Sequence, residues 1–209
     1  MSDNLCRRRS DCRLCGGTNL INVFSLTPTP PANAFVTKEQ LDQEQPFFPL
    51  DLFFCESCTH LQLSDVVDPD ELFRNYVYIS GTSPSFVKHF EDYAGSCLSR
   101  FDLAENDLVL DIGSNDGTLL KIFKDNKVRV LGVDPAQKIA YKASGEGIET
   151  WPEFFDAELA EQVRREKGAA SLVTANNVFA HADDLIGITE GIRSLLMPDG
   201  VFVFEVSYL

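Results

Sequence analysis

Two Cys-x-x-Cys pairs constrain this chain more than any other feature. Cys12/Cys15 and Cys55/Cys58 are separated by 39 intervening residues. A Cys-x-x-Cys turn points two thiolates at one centre, and two such turns complete a tetrahedral sulfur site. Leu14-Cys15-Gly16-Gly17 offers glycines for the first tight turn. The second pair follows Phe47-Phe48-Pro49-Leu50-Asp51-Leu52-Phe53-Phe54, which reads as a strand. Two unrelated pairs or a redox dithiol are the alternatives, and the matched turns favour one zinc ion at Cys12, Cys15, Cys55 and Cys58. Four protein ligands leave no open position for water, so that zinc would be structural. Cys6 and Cys97 are left over and read as small buried or free thiols. Thr27 to Phe35 is a proline-rich loop with no period. Residues 1–67 are therefore expected to be a small loop-rich zinc domain, with too little core to stand without its metal.

The N-terminal arginines Arg7, Arg8 and Arg9 precede no apolar signal core, and no run of about 18 apolar residues exists, so a cytoplasmic, reducing location without membrane contact is the expectation. Thirty-two acidic against 18 basic residues leave a net charge of −14. That field opposes a nucleic-acid backbone as partner. Residues 68–104 read as a helical connecting segment. Asp68-Pro69-Asp70-Glu71 starts a short helix, with acids in its first turn. Tyr76-Val77-Tyr78-Ile79-Ser80-Gly81-Thr82-Ser83 is loop-like, its tyrosines either packing residues or pocket residues. From Ser85, Phe86, Phe90, Tyr93, Ala94, Cys97, Leu98 and Phe101 recur at helical spacing.

From residue 105 to 209 strands and helices alternate, which calls for an α/β fold with a doubly wound, Rossmann-like parallel sheet. Leu108 to Ile112 is a strand running into the loop Gly113-Ser114-Asn115-Asp116-Gly117, and Thr118 opens a helix. Val128 to Val133 is the second strand, closed by Asp134, which lies 21 residues after Gly113. This is the layout of a nucleotide-binding half: glycines let the backbone approach a ligand, and the acid accepts ribose hydroxyls. The spacing Asp111-x-Gly113-x-x-x-Gly117 departs from the G-x-G-x-x-G of NAD enzymes, and Asn115 stands where many S-adenosylmethionine sites carry a middle glycine. Further strands fall at 147–151, 171–178 and 201–206, with helices at 156–167 and 184–196. Gly113, Asp134, Asn176 and Asn177 should gather at the carboxyl ends of the strands. The sheet is expected to break off after its fifth strand, leaving an exposed edge. His60 and His89 read as structural or surface residues.

Taken together, these elements resemble the zinc-binding sugar C-methyltransferase family, which acts on nucleotide-activated keto-deoxysugars. The resemblance rests on both cysteine pairs, Pro31-Ala32-Asn33-Ala34-Phe35, the run Tyr76 to Ser83, Leu110 to Gly117, Gly132-Val133-Asp134-Pro135, Asn176-Asn177-Val178-Phe179-Ala180-His181, and Gly200 to Leu209. It implies S-adenosylmethionine as cofactor, held by Asp111, Gly113, Asn115, Gly117, Asp134, Pro135, Asn176 and Asn177. It implies His181 and Tyr76 at the reacting sugar, with Tyr78 and Ser80 as further substrate contacts. It also implies a C-terminal domain, and a Glu-His base pair beyond a segment like Glu205 to Leu209. The competing expectations are a zinc-containing RNA methyltransferase, which the charge opposes, an NAD dehydrogenase, and a cofactor-binding module without chemistry.

Overall fold

The computed structural model describes residues 5–207, and the chain divides into two compact units, Met1–Val77 and Tyr78–Leu209. The division falls inside the stretch read as a connecting segment. Tyr208 and Leu209, part of the expected terminal motif, lie outside the described residues. No helix among the described residues is long and apolar enough to cross a membrane.

The N-terminal unit holds β1 (Cys6–Arg8), β2 (Leu20–Thr29), β3 (Phe48–Cys55), β4 (Leu61–Leu63), β5 (Asp65–Val67) and the short helix α1 (Pro69–Phe73). Strands β2, β3 and β4 form an antiparallel sheet, and β1 pairs with β5 in a separate ribbon. Arg8 ties ribbon to sheet, bonding Asp65 at 2.7 Å and Asp51, with its guanidinium over the Phe53 ring. The strand β2 corrects the proline-rich loop, because it runs through Thr27, Pro28 and Thr29. An edge strand tolerates a missing N–H, and the register slips between Leu26 and Thr29, so Pro28 sits where the ladder is already interrupted. The buried hydrophobic side chains described in this unit are Cys12, Phe48 and Cys55, which is a very small core.

The C-terminal unit runs α2 (Pro84–Arg100), β6 (Leu108–Ile112), α3 (Thr118–Asp125), β7 (Arg129–Val133), α4 (Gln137–Gly145), β8 (Thr150–Trp151), α5 (Ala157–Lys167), β9 (Ala170–Asn176), α6 (Leu185–Leu195) and β10 (Leu196–Glu205). The five strands are parallel in the order β10-β9-β6-β7-β8. Alternation along β6 splits the core in two. Leu108, Leu110 and Ile112 join Leu159, Val163, Ile192 and Leu195 on the α5/α6 face, while Val109 joins Phe90, Ala94, Leu120 and Phe123 on the α2/α3 face. Helix α4 has no counterpart in the sequence reading. Its buried side chains are Ile139, Ala140 and Ala143, and Ala136 gives it no side-chain cap, so both pattern and start signal are weak. Strand order reverses between β6 and β9, and a ligand crevice opens outside the carboxyl ends of the strands at such a point.

Candidate functional site

The two cysteine turns are built alike. In each, the amide of the residue four positions on donates to the first cysteine's carbonyl: Gly16 to Cys12 and Thr59 to Cys55, both at 2.8 Å. In each, the first cysteine's own amide then donates to the carbonyl five positions on, Gly17 or His60, at 2.8 and 2.9 Å. That tight path needs a left-handed residue, supplied by Gly16 (φ 71°) and Thr59 (φ 64°). Buried Gln62 fixes the first turn against β4: its amide donates to the Asp11 carbonyl at 3.0 Å and its oxygen accepts from the Arg13 amide at 2.9 Å.

All four sulfurs lie within 4.8 Å of one another, with Cys12 to Cys58 at 3.6 Å and Cys15 to Cys55 at 3.7 Å. These are not disulfides. A Zn–S bond of about 2.3 Å places tetrahedral sulfurs about 3.8 Å apart, so the four thiols fit a zinc ion as they stand. Burial pushes the Cys55 thiol up, but the Cys58 and Ser57 amides and the neighbouring thiols outweigh it and bring it down to about 7.

In the C-terminal unit the loop after β6 has left-handed backbone at Gly113 (φ 70°), Asn115 (φ 52°) and Gly117 (φ 77°). A Cβ at Gly113 would collide with Val178, and one at Gly117 would come within 2.9 Å of Ile148. Asparagine is among the few other residues that tolerate this conformation, which explains Asn115 in a glycine's place. Its side chain has a second task. Its amide donates to the Tyr78 carbonyl and its oxygen accepts from the Ser80 amide, each at 3.0 Å. Asp116 takes the Gly81 amide at 3.0 Å, so the Tyr78–Gly81 segment is stitched to the glycine loop.

Asp134, at the end of β7, is buried. It accepts the Asn115 amide on one carboxylate oxygen and the Ala136 amide on the other, both at 2.8 Å. A carboxylate has about four acceptor positions, so about two remain for a ligand. Burial pushes Asp134 up, and those two amides oppose the shift. Asp111 lies deeper, accepting from Thr174 Oγ1 at 2.7 Å. Burial, with Asp134 nearby, raises Asp111 to about 7 against the Thr174 bond. Pro135 is half-buried beside Asp134. Asn176, at the end of β9, buries both side-chain polar atoms without a hydrogen bond, as does Ser114 its hydroxyl. Unpaired buried polar groups are costly, and here they mark hydrogen-bonding capacity left for a bound molecule. Asn177 follows in left-handed conformation (φ 56°), its amide on the Glu205 carbonyl at 2.7 Å.

The carboxyl ends of β6, β7 and β9 thus gather the glycine loop, Asp134, Pro135, Asn176 and Asn177, with Tyr78 and Ser80 attached through Asn115. Exposed His181 ends a single 3-10 turn, Phe179–His181, that is anchored by Phe179 against Phe202 and Phe204 at 5.5 and 5.3 Å. Tyr76 belongs to the other unit. Its hydroxyl meets the Asn33 amide at 3.2 Å, and it lines a groove of about 360 Å³ with Pro31, Asn33, Phe35 and Glu71. Sequence reading missed Gln62, Thr174 and the Asn115 bridges, for these are pairings across 35 to 63 positions with no local signal.

Residues 12–73 match the family described as "Putative zinc binding domain", and residues 87–208 match the family described as "Methyltransferase domain". The chain is 36% identical to C-methyltransferase NovU of Streptomyces niveus over 206 residues, 99% of this chain and 49% of that protein. It therefore spans about half the length of the curated relative it matches. PH0226 protein from Pyrococcus horikoshii OT3 superposes with a TM-score of 0.52 at 19% identity, over 63% of this chain and 59% of that one, a likeness of fold. With more than half of its length matched by one family, on residues that include the whole glycine-loop crevice, the chain belongs to the methyltransferase-domain family.

Proposed function

We propose that the chain is an S-adenosylmethionine-dependent C-methyltransferase, transferring a methyl group to a carbon next to the ketone of a nucleotide-linked deoxysugar. The observation that carries this reading is the crevice itself. It combines a left-handed glycine loop, a buried acid with acceptor capacity to spare at the end of the next strand, and the unpaired Asn176 and Ser114 side chains. The name of the NovU relative supports carbon as the accepting atom.

S-Adenosylmethionine, when bound, supplies an electrophilic methyl group. Asp134 would accept the ribose hydroxyls, Gly113 and Gly117 would admit the ligand against bare backbone, and the Asn176 amide would find its missing partner. Asp111, Asn115, Pro135 and Asn177 frame the same crevice. On the substrate side, Tyr78, Ser80 and His181 would orient the keto-sugar and stabilise charge developing on its oxygen. The zinc would take no part in this chemistry: four thiolates close its shell, so it would hold the fold of the N-terminal unit.

Calorimetry with S-adenosylmethionine and with NAD tests the cofactor, and methyl transfer to nucleotide-linked keto-deoxysugars measured beside RNA tests the substrate. We expect heat only with S-adenosylmethionine and label only in the sugar. Binding of NAD alone, or label in RNA, would replace this reading with a dehydrogenase or an RNA methyltransferase.

A further inference from the structure

Asn115 does two separate things. Its left-handed backbone (φ 52°) shapes the loop, and glycine would serve that purpose at least as well. Its side chain does what glycine cannot. The amide group donates to the Tyr78 carbonyl and the oxygen accepts from the Ser80 amide, so both ends are engaged with the segment that leads into α2. Asp116 divides its carboxylate in a similar way. Oδ1 accepts from the Thr118 amide and hydroxyl at 3.2 and 2.7 Å, at the start of α3, and Oδ2 accepts from the Gly81 amide. Gly81 lies so close to this loop that a Cβ there would stand 2.6 Å from Asp116 Oδ2 and 2.8 Å from Thr118 Oγ1. Ser80 is buried beneath, while Tyr78 is exposed. On its other side, the Asn115 backbone amide donates to Asp134 Oδ2. An unbroken run of hydrogen bonds therefore leads from the acid at the end of β7, through Asn115, to the backbone that carries Tyr78 and Ser80. The bonds to Asp134 and Ser80 are buried, where hydrogen bonds are stronger than in water and reinforce one another.

We infer that Asn115 is a positioning residue that couples the two substrates: a cofactor seated on the Gly113–Gly117 loop and Asp134 holds the Tyr78–Gly81 segment in the place where it meets the methyl acceptor. This rests on the methyltransferase reading above. Ribose hydroxyls on Asp134 fix the carboxylate that anchors the Asn115 amide. The anchored loop then orders Ser80 and Gly81, so Tyr78 and Ser80 are presented to the acceptor once the methyl donor is in place. The side chain that stands in a glycine's place thus serves the acceptor and not the cofactor. Coupling between two sites is reciprocal, so a bound acceptor tightens the cofactor by the same factor, and such factors span about 5- to 150-fold.

Hydrogen exchange of the full chain reads this coupling without any acceptor. With saturating S-adenosylhomocysteine, we expect protection of the amides at positions 80 and 81 to rise at least about fivefold in the parent. Asn115→Gly keeps the loop conformation, so its calorimetric affinity for S-adenosylhomocysteine should stay within about threefold, while the gain in protection disappears. Gly81→Ala leaves Asn115 intact and pushes the segment off the loop, and should abolish the same gain. In methyl transfer to a nucleoside-diphosphate 4-keto-6-deoxyhexose, both variants should raise KM for the sugar at least about fivefold and leave KM for S-adenosylmethionine nearly unchanged. Protection that rises equally in parent and variants, or does not rise in a parent that binds S-adenosylhomocysteine, overturns the coupling and leaves the methyltransferase reading standing. An Asn115→Gly variant that loses cofactor affinity also overturns it, by placing the side chain in the cofactor site. A gain in protection confined to the parent, with no transfer to the sugar, supports the coupling and overturns the keto-sugar reading alone. A chain that binds no S-adenosylhomocysteine overturns both.

Discussion

Thr59 and Gly16 occupy equivalent places in the two cysteine turns, but only one of them suits its backbone. A left-handed conformation costs an L-residue roughly 1–2 kcal/mol, and a β-branched side chain is the least comfortable there. Thr59 carries that strain, partly offset by its hydroxyl bond to the Cys58 carbonyl at 2.6 Å. Thr59→Gly should therefore raise the chelator concentration needed to release the metal, while Gly16→Ala should lower it by about 1–2 kcal/mol of stability. Nothing lies within 4 Å of a Cβ at Gly16, so backbone conformation would be the sole cost. Equal chelator sensitivity in parent and variants would refute the argument. Asp111 offers a second test at this scale. Its folded pKa is raised to about 7, so the protonated form is the one the fold prefers. Its stabilising share is complete below the ordinary carboxylate range and is lost as pH climbs to about 7. Asp111→Asn, which cannot ionise, should gain on the parent between pH 5 and pH 8 by at least about 2–4 °C in melting temperature, the shift each kcal/mol makes at this chain length. A constant gap across that range would mean the acid is ionised without penalty.

At the scale of elements, the loop between β6 and α3 is shaped as much by what it meets as by its own residues. Gly113 faces Val178, which follows β9, so the two strand ends that border the crevice are in contact at a position with no room for a Cβ. Gly113→Ala adds an atom where none fits and asks an L-residue for φ 70°. Overpacking of this kind costs about 1–3 kcal/mol, which corresponds to roughly 5- to 150-fold weaker S-adenosylmethionine binding. Adding Val178→Ala should recover part of the loss by removing the collision and not the strain; calorimetry on the two variants checks it. The loop was legible in the sequence because its signal is local: an unbroken apolar strand, glycines at fixed offsets, and an acid closing the next strand. The same holds for the cysteine turns. Strand β2 was not legible, since nearly all of it is exposed and no burial period marks it. Helix α4 was hidden by alanines. The His89–Glu205 and Gln62–Asp11 pairings exist only once sheet topology has brought distant positions together, and no window along the chain contains both partners.

For the molecule as a whole, the two units differ in what holds them. The clusters on both faces of the parallel sheet are made of residues from Phe86 onward, so the C-terminal unit has its own core. The N-terminal unit buries Cys12, Phe48 and Cys55 as its described apolar core, and two of these three are sulfurs of the metal cluster. Its polar braces, such as Arg8 with Asp51 and Asp65, involve an arginine that is half exposed and contribute little on their own. Structural zinc, by contrast, is worth apparent free energies of about 10–16 kcal/mol in small domains. Metal should therefore decide whether the first unit is folded and leave the second nearly untouched. The expected result of chelation, or of Cys55→Ser, is loss of strand signal in circular dichroism and rapid proteolysis confined to residues 1–77. Residues 78–209 should remain a protected fragment whose affinity for S-adenosylmethionine changes by less than about threefold, or 0.7 kcal/mol. If the protected fragment is lost together with the metal, the sheet depends on the zinc unit for its stability, and the division of labour argued from the two cores is wrong.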